Sequence, residues 1–187
     1  MPRISPLDPA GTGGRTKTLL EQVRATLGGT PNLIRTLAQA PAALDAYLSL
    51  GKALSDGAFT SAQREQIALA VAGENSCDYC ASAHTLLGRN AGLADEELAA
   101  NLRGQASDPR MQALLDLARA IVQGRGFVSD AEFAAARNAG ITDAEIVELV
   151  AEVTRNIFTN YLNHLAQTEV DFPLVPASKD TSEAAAA

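Results

Sequence analysis

Two thiols stand three residues apart, Cys77 and Cys80, and an imidazole, His84, follows four residues after the second. Only the thiolate attacks a peroxide or a disulfide, and an unperturbed thiol with a pKa of about 8.5 is mostly protonated at neutral pH. Unpaired backbone N–H groups at a helix start favour the anion. An imidazole one turn further on can accept the thiol proton and pass it to a leaving group. The second thiol can then close on a sulfenic acid or a mixed disulfide before over-oxidation. Glu65 lies upstream on what must be the preceding helix, folded back against this one, where its carboxylate can orient His84 or relay a proton. These residues do not decide which sulfur attacks: the helix start favours Cys77 and the imidazole favours Cys80.

The elements that must carry these groups read as helices throughout, with clear punctuation. Asn75 or Ser76 is a natural N-cap, after which Cys77, Cys80 and His84 share one helix face. Capping boxes stand at Thr60…Gln63, Ser129…Glu132 and Thr142…Glu145. Thr30-Pro31 and Asp108-Pro109 read as N-caps followed by Pro, Pro41 as another helix start, and Gly28, Gly92 and Gly140 as helix ends. The expected helices cover about 16–27, 31–39, 41–55, 61–74, 76–91, 95–104, 108–124, 129–139 and 142–168. The fold class is therefore all-α, a bundle of about nine helices spanning 16–170. A flexible N-terminal arm (1–15) precedes it and a mostly disordered tail (171–187) follows. On the long last helix, Asn160, Asn163 and His164 interrupt an apolar face; they read as a buried polar network, a subunit contact, or, with Tyr79, a pocket wall. Glu148 and Glu152 read as a solvated stripe, and Arg64 as an ion-pair residue.

Internal similarity is limited. Arg89–Leu98 and Arg137–Ile146 share Arg-Asn-Ala-Gly and then an Asp and a Glu, and Glu145 precedes His164 by the same 19 residues that separate Glu65 from His84. Reuse of a helix–turn–helix joint explains the first; a duplication that kept its thiols in one copy would explain both.

Composition narrows the classes. Hydrophobic residues make up 47% of the 187, aromatics 4%, and Trp is absent, so the core must be built from Ala, Leu, Val and Ile. A net charge of −7 argues against a nucleic-acid partner. No apolar run has the length of a membrane span and the N-terminus does not read as a signal peptide, so a cytoplasmic location is expected. There a C-x-x-C pair is more often catalytic or metal-binding than a permanent staple. With two Cys and two His in the chain, a Cys2His2 zinc site would require the fold to bring His164 to His84.

Arg64-Glu65, eleven intervening residues, Cys-x-x-Cys and then x-x-x-His together resemble the alkylhydroperoxidase D / carboxymuconolactone decarboxylase superfamily. Gly-x-x-Pro-Asn-Leu at 28–33 and Ala-Gly-Leu-x-Asp-Glu-Glu at 91–97 extend the resemblance. It implies an all-helical trimer or hexamer that reduces peroxides or passes electrons between thiols, without a bound cofactor or metal. It also implies Cys80 as the attacking cysteine, Cys77 as the resolving one, and Glu65 and His84 as a proton relay. An external dithiol or thioredoxin-like donor would regenerate the pair. One departure stands out: alkylhydroperoxidase D enzymes place a further His before the second Cys, where this chain has Tyr79. That points to lower peroxidase activity or another substrate. The lactone-decarboxylating branch lacks the cysteine pair. The rival readings are a non-enzymatic redox-sensing or metal-binding scaffold, and acid–base chemistry on a carbonyl by Glu65 and His84.

Overall fold

A computed structural model describes residues 1–177, and among them every regular element is helical. A short 3-10 turn (Pro9–Gly11) precedes α1 (Gly14–Leu27), α2 (Asn32–Leu37), α3 (Pro41–Ser55), α4 (Ser61–Glu74), α5 (Asp78–Asn90), α6 (Asp95–Leu102), α7 (Pro109–Gly124), α8 (Asp130–Asn138) and α9 (Asp143–Ala166). All three expected capping boxes form, and Asp108 caps α7 through its side chain. The cap of α2 differs from expectation. Pro31 itself is the N-cap and Asn32 the first helical residue, so Thr30 lies outside.

The bundle is organised around α4. Gln66 through Ala72 are buried on every side of that helix, which is how a helix apolar around most of its circumference must be placed. On one flank Ile67 and Val71 join Leu114, Leu115 and Ala118 of α7 and Leu149 and Val153 of α9. A second cluster joins α1, α2 and α3 through Leu19, Val23, Ile34, Leu37 and Leu44. The third is small and contains Ala72, Cys77, Tyr79 and Cys80, packed under Leu33, Leu102 and Phe172. Gly73 makes room for it: a Cβ there would collide with the Leu102 backbone carbonyl of α6.

The chain ends depart from the sequence reading. The N-terminal arm is tied down, because Arg3 N–H donates to the Ala166 carbonyl (2.7 Å) and Leu7 N–H to the Arg35 carbonyl (3.1 Å). The described part of the tail is likewise attached. Val175 N–H donates to Ser82 Oγ (2.9 Å) and Ala177 N–H to Asp78 Oδ1 (2.8 Å), so residues 171–177 lie along α5 as a strap. The remainder of the expected tail, 178–187, lies outside the described residues.

The polarity of α9 also departs from expectation. Its inner side buries Glu152, Asn156, Asn160 and Asn163 beside Leu149 and Val153, while Val147, Val150, Phe158, Tyr161 and Leu165 are exposed. Glu152 is not part of a solvated stripe. It is 1% exposed between Arg64 and Arg155, each 3.8 Å away. Burial is the largest influence on its carboxyl and raises its pKa, and the two guanidinium groups offset only part of this. Glu148 accepts the N–H groups of Ala58 and Phe59 and so anchors the loop before α4.

Candidate active site

The cysteine loop has no linker residues to spare. Helix α4 ends in a Schellman motif: Ser76 N–H reaches the Gly73 carbonyl and Cys77 N–H the Ala72 carbonyl. Ser76 occupies the left-handed position of that motif with φ +52°, a conformation that costs a non-glycine residue about 1 kcal/mol. Cys77 then serves as the N-cap of α5, its sulfur accepting the Cys80 N–H at 3.3 Å. The expected caps, Asn75 and Ser76, are instead used to close α4. Cys77 thus terminates one helix and starts the next, which folds α5 directly back along α4.

That reversal assembles the predicted groups. Cys77 and Cys80 are joined as a disulfide with Cα atoms 5.3 Å apart. His84 Nδ1 lies 2.7 Å from Glu65 Oε2, with side chains only 13% and 19% exposed. Glu65 therefore faces α5, not solvent, and occupies one ring nitrogen so that Nε2 is left to exchange a proton. Cys80 and His84 line one small cavity of about 80 Å³ with Tyr47, Leu33, Ile34 and Phe172 among its walls. Cys77 is buried and does not line it.

Tyr79 also lines the cavity and serves as a structural pin. Its hydroxyl accepts the Leu33 N–H (3.0 Å) and donates to Asp171 Oδ1 (2.8 Å), and its ring meets Phe172 edge-on with centroids 5.5 Å apart. Burial is the main cause that pushes its hydroxyl pKa well above the ordinary tyrosine range, so it remains a neutral phenol. Asp171 also accepts the Asn32 N–H, so one carboxylate holds the strap to α2 and α5 together.

The other two candidates for pocket residues fall elsewhere. His164 is exposed on the far side of α9 and does not line the cavity. Asn160 is fully buried and accepts from Asn75 Nδ2 at 2.8 Å, bracing the turn before Cys77 without reaching the cavity. The spacing shared by Glu65…His84 and Glu145…His164 has no structural counterpart. Glu145 and His164 belong to one continuous helix, and 19 residues at 1.5 Å each separate them by roughly 28 Å. The repeated Arg-Asn-Ala-Gly segment does mark the same kind of joint twice, ending α5 and α8 ahead of Gly92 and Gly140, each in the left-handed region. Among the described residues no three His, Cys, Asp or Glu side chains gather in a metal-binding arrangement.

Asn163, expected as a polar interruption of α9, and three polar or aromatic walls that were not foreseen complete the site. Asn163 Nδ2 lies 3.4 Å from Cys80 Sγ, buried. Tyr47 of α3, Thr159 of α9 and Phe172 of the strap are cavity walls. Asn163 had a visible signal, a polar residue on an apolar helix. Tyr47 and Thr159 had none, because nothing in their local sequence distinguishes them from packing residues, and Phe172 fell in the segment read as tail.

Comparisons with known proteins agree with this architecture. Residues 41–120 match the carboxymuconolactone decarboxylase family. A peroxidase-related protein of Ralstonia eutropha JMP134, described as an alkylhydroperoxidase AhpD core, superposes with a TM-score of 0.80 at 26% identity, covering 91% of this chain and 92% of that one. A peroxidase-related protein of Silicibacter sp. TM1040 gives 0.73 at 24% identity, covering 89% and 91%. The debrominase Bmp8, solved with 2,3,4-tribromopyrrole, gives 0.77 at 17% identity, covering 90% and 91%. No curated protein matches the sequence. The all-helical fold, the Cys77–Cys80 disulfide and these likenesses together support the alkylhydroperoxidase D / carboxymuconolactone decarboxylase superfamily.

Proposed function

We propose that this protein is a thiol peroxidase or disulfide reductase that cycles through Cys77 and Cys80. The observation that carries this reading is the cavity wall itself: Cys80 and His84 share it, and His84 is held from behind by Glu65 at 2.7 Å. In the reduced protein His84 takes the Cys80 proton. The thiolate attacks the terminal oxygen of a hydroperoxide, the O–O bond breaks, and His84 returns the proton to the departing alkoxide. Cys80 becomes a sulfenic acid and an alcohol leaves. The Cys77 thiol attacks that sulfur, water departs, and the disulfide forms. An external dithiol then reduces the disulfide and is itself oxidised. Tyr79, neutral and doubly hydrogen-bonded, takes no part in proton transfer.

Stoichiometric oxidation tests this reading. The reduced protein mixed with one equivalent of an organic hydroperoxide should lose both thiols rapidly and yield the Cys77–Cys80 disulfide. Cys80→Ser should abolish the reaction, and Cys77→Ser should stop it at a sulfenic acid on Cys80. Slow loss, indistinguishable from that of a small free thiol, would favour the redox-sensing scaffold. Turnover of a lactone by a double Cys→Ser variant would favour acid–base chemistry. The exposed apolar stripe Val147, Val150, Phe158, Tyr161 and Leu165 on α9 supports a homo-oligomer with that face covered. A monomer at micromolar concentration in light scattering would contradict it.

A further inference from the structure

The buried side of α9 carries polar residues where a helix in this position should be apolar, and the last two of them, Asn160 and Asn163, meet the cysteine loop. Asn160 holds Asn75, the last residue before the Schellman turn. One turn later, Asn163 is 4% exposed and places its amide nitrogen 3.4 Å from Cys80 Sγ. Its amide oxygen, equally buried, has no partner. Burying an amide with half its hydrogen-bonding capacity unused is costly, and packing alone would be served by Leu at the same position. The end of the amide that is used is the donor, and it is used on sulfur.

A disulfide sulfur is a weak acceptor, whereas a thiolate is a strong one, and a hydrogen bond to an ionised group is roughly twice as strong as a neutral one. The contact therefore favours the reduced, ionised state over the disulfide. It also separates the two sulfurs. Cys77 receives the helix-start amide of Cys80, which the local sequence supplies, and Cys80 receives a side-chain amide from the far end of the chain. The titratable groups around Cys80 are Cys77, Tyr79 and His84 on its own segment, Glu65 behind His84 from α4, and Tyr47 across the cavity from α3. From α9 the contact is a neutral donor, so it adds stabilisation of the anion at every pH.

We infer that Asn163 is a thiolate-stabilising residue for Cys80, setting both the fraction of attacking anion and the redox poise of the pair. This rests on the proposed role of Cys80 as nucleophile. The energy lies in the difference between charged and neutral hydrogen bonds, which corresponds to about one pKa unit, or a tenfold change in thiolate population.

The test uses the full chain with Asn163→Leu and Asn163→Asp, each also in a Cys77→Ser background so that Cys80 is the single thiol. The pH dependence of iodoacetamide alkylation reports Cys80 ionisation. The Leu variant should raise the Cys80 pKa by about one unit. The Asp variant, with a carboxylate in the donor's place, should raise it further. With both thiols present, equilibration against a dithiothreitol buffer should show the Leu variant's midpoint lowered by about 30 mV, the tenfold equivalent for a two-electron couple. Loss of packing alone would lower the melting temperature without moving either readout. If the Leu variant does not fold, the isosteric Asp variant decides. An unchanged pKa and midpoint in the folded variants overturn the inference. If Cys80 of the otherwise native protein fails to ionise below pH 8, the proposed nucleophile fails. If it ionises equally well with and without Asn163, only the role of Asn163 does.

Discussion

Glu65→Gln isolates what the carboxylate contributes to the relay. The pair is short, 2.7 Å between His84 Nδ1 and Glu65 Oε2, and largely shielded from water. Charge-assisted hydrogen bonds in such settings contribute about 1.5–3 kcal/mol. Gln keeps an acceptor oxygen at nearly the same place, so it retains the orientation of the ring and removes the charge that stabilises the imidazolium formed when Cys80 is deprotonated. About half of the interaction should be lost, roughly 1.4 kcal/mol or tenfold in the rate of thiol oxidation. Glu65→Leu removes orientation as well and leaves Nδ1–H without a partner. It should lower the rate by about a hundredfold and cost about 1–3 kcal/mol of stability. Stopped-flow measurement of disulfide formation with an organic hydroperoxide, alongside urea unfolding of each variant, separates the two effects. If both variants oxidise within about threefold of the native rate, far less than a general acid–base group normally contributes, His84 does not work through Glu65 and the relay is wrong.

The other predictions concern groups with structural roles. Tyr79→Phe removes the hydroxyl that joins Leu33 and Asp171; it should cost about 1–2 kcal/mol in urea unfolding and leave the pH profile of thiol oxidation unchanged. The Glu145 carboxyl is held below its usual range, chiefly by the Thr142 N–H it accepts and next by Arg110. Its stabilisation is therefore complete above the ordinary carboxylate pKa and lost as pH falls through the lowered folded-state value; Glu145→Gln should flatten the acid limb of the stability curve and destabilise by about 1 kcal/mol at pH 7. Glu152 has the opposite sign. Its folded-state pKa is raised, mainly by burial, so its contribution is most favourable below the unfolded-state pKa and declines as pH rises through the folded-state one. Glu152→Gln should gain stability relative to the native protein between pH 4 and pH 7, and parallel unfolding curves across that range would contradict the assignment.

How much of this was legible depended on whether the signal was local. Helix boundaries were, because capping is a short-range contract: Thr60 with Gln63, Ser129 with Glu132 and Thr142 with Glu145 all formed as written. The Glu65–His84 contact was also readable, since two consecutive helices with no linker must run antiparallel. The exact cap of α5 was not. Asn75 and Ser76 are better N-cap residues than Cys by propensity, but the Schellman closure of α4 consumes both before α5 begins. Glu152 was misread because charge on an amphipathic helix is normally an outward signal, and its burial depends on Arg64 and Arg155 meeting it from α4 and from its own helix. Asp171 and Phe172 read as tail because Pro173, Pro176 and the polar and Ala-rich run beyond them mark an irregular chain end, and composition cannot record that Tyr79 and Asn32 offer partners.

The same division explains why the choice between the sulfurs stayed open in the sequence. Within one turn of helix the local signals oppose each other: the helix start favours Cys77, whose sulfur accepts the Cys80 N–H, and the imidazole favours Cys80. What distinguishes them comes from elsewhere in the chain. The cavity that Cys80 faces is closed by α2, α3 and the strap, His84 is oriented by α4, and the amide on its sulfur comes from α9, 83 residues away. Cys77 has the helix start and little else, and it is sealed under Ala72 and Leu102. A resolving thiol needs only to reach its partner, whereas an attacking one needs substrate access, a base and a stabilised anion. The division of labour proposed here follows from that asymmetry. Moving the C-x-x-C motif alone onto another helix start would therefore be expected to transfer the ability to form a disulfide but not the preference for the second sulfur, and alkylation of such a grafted pair should label the first cysteine, at the helix start, faster than the second.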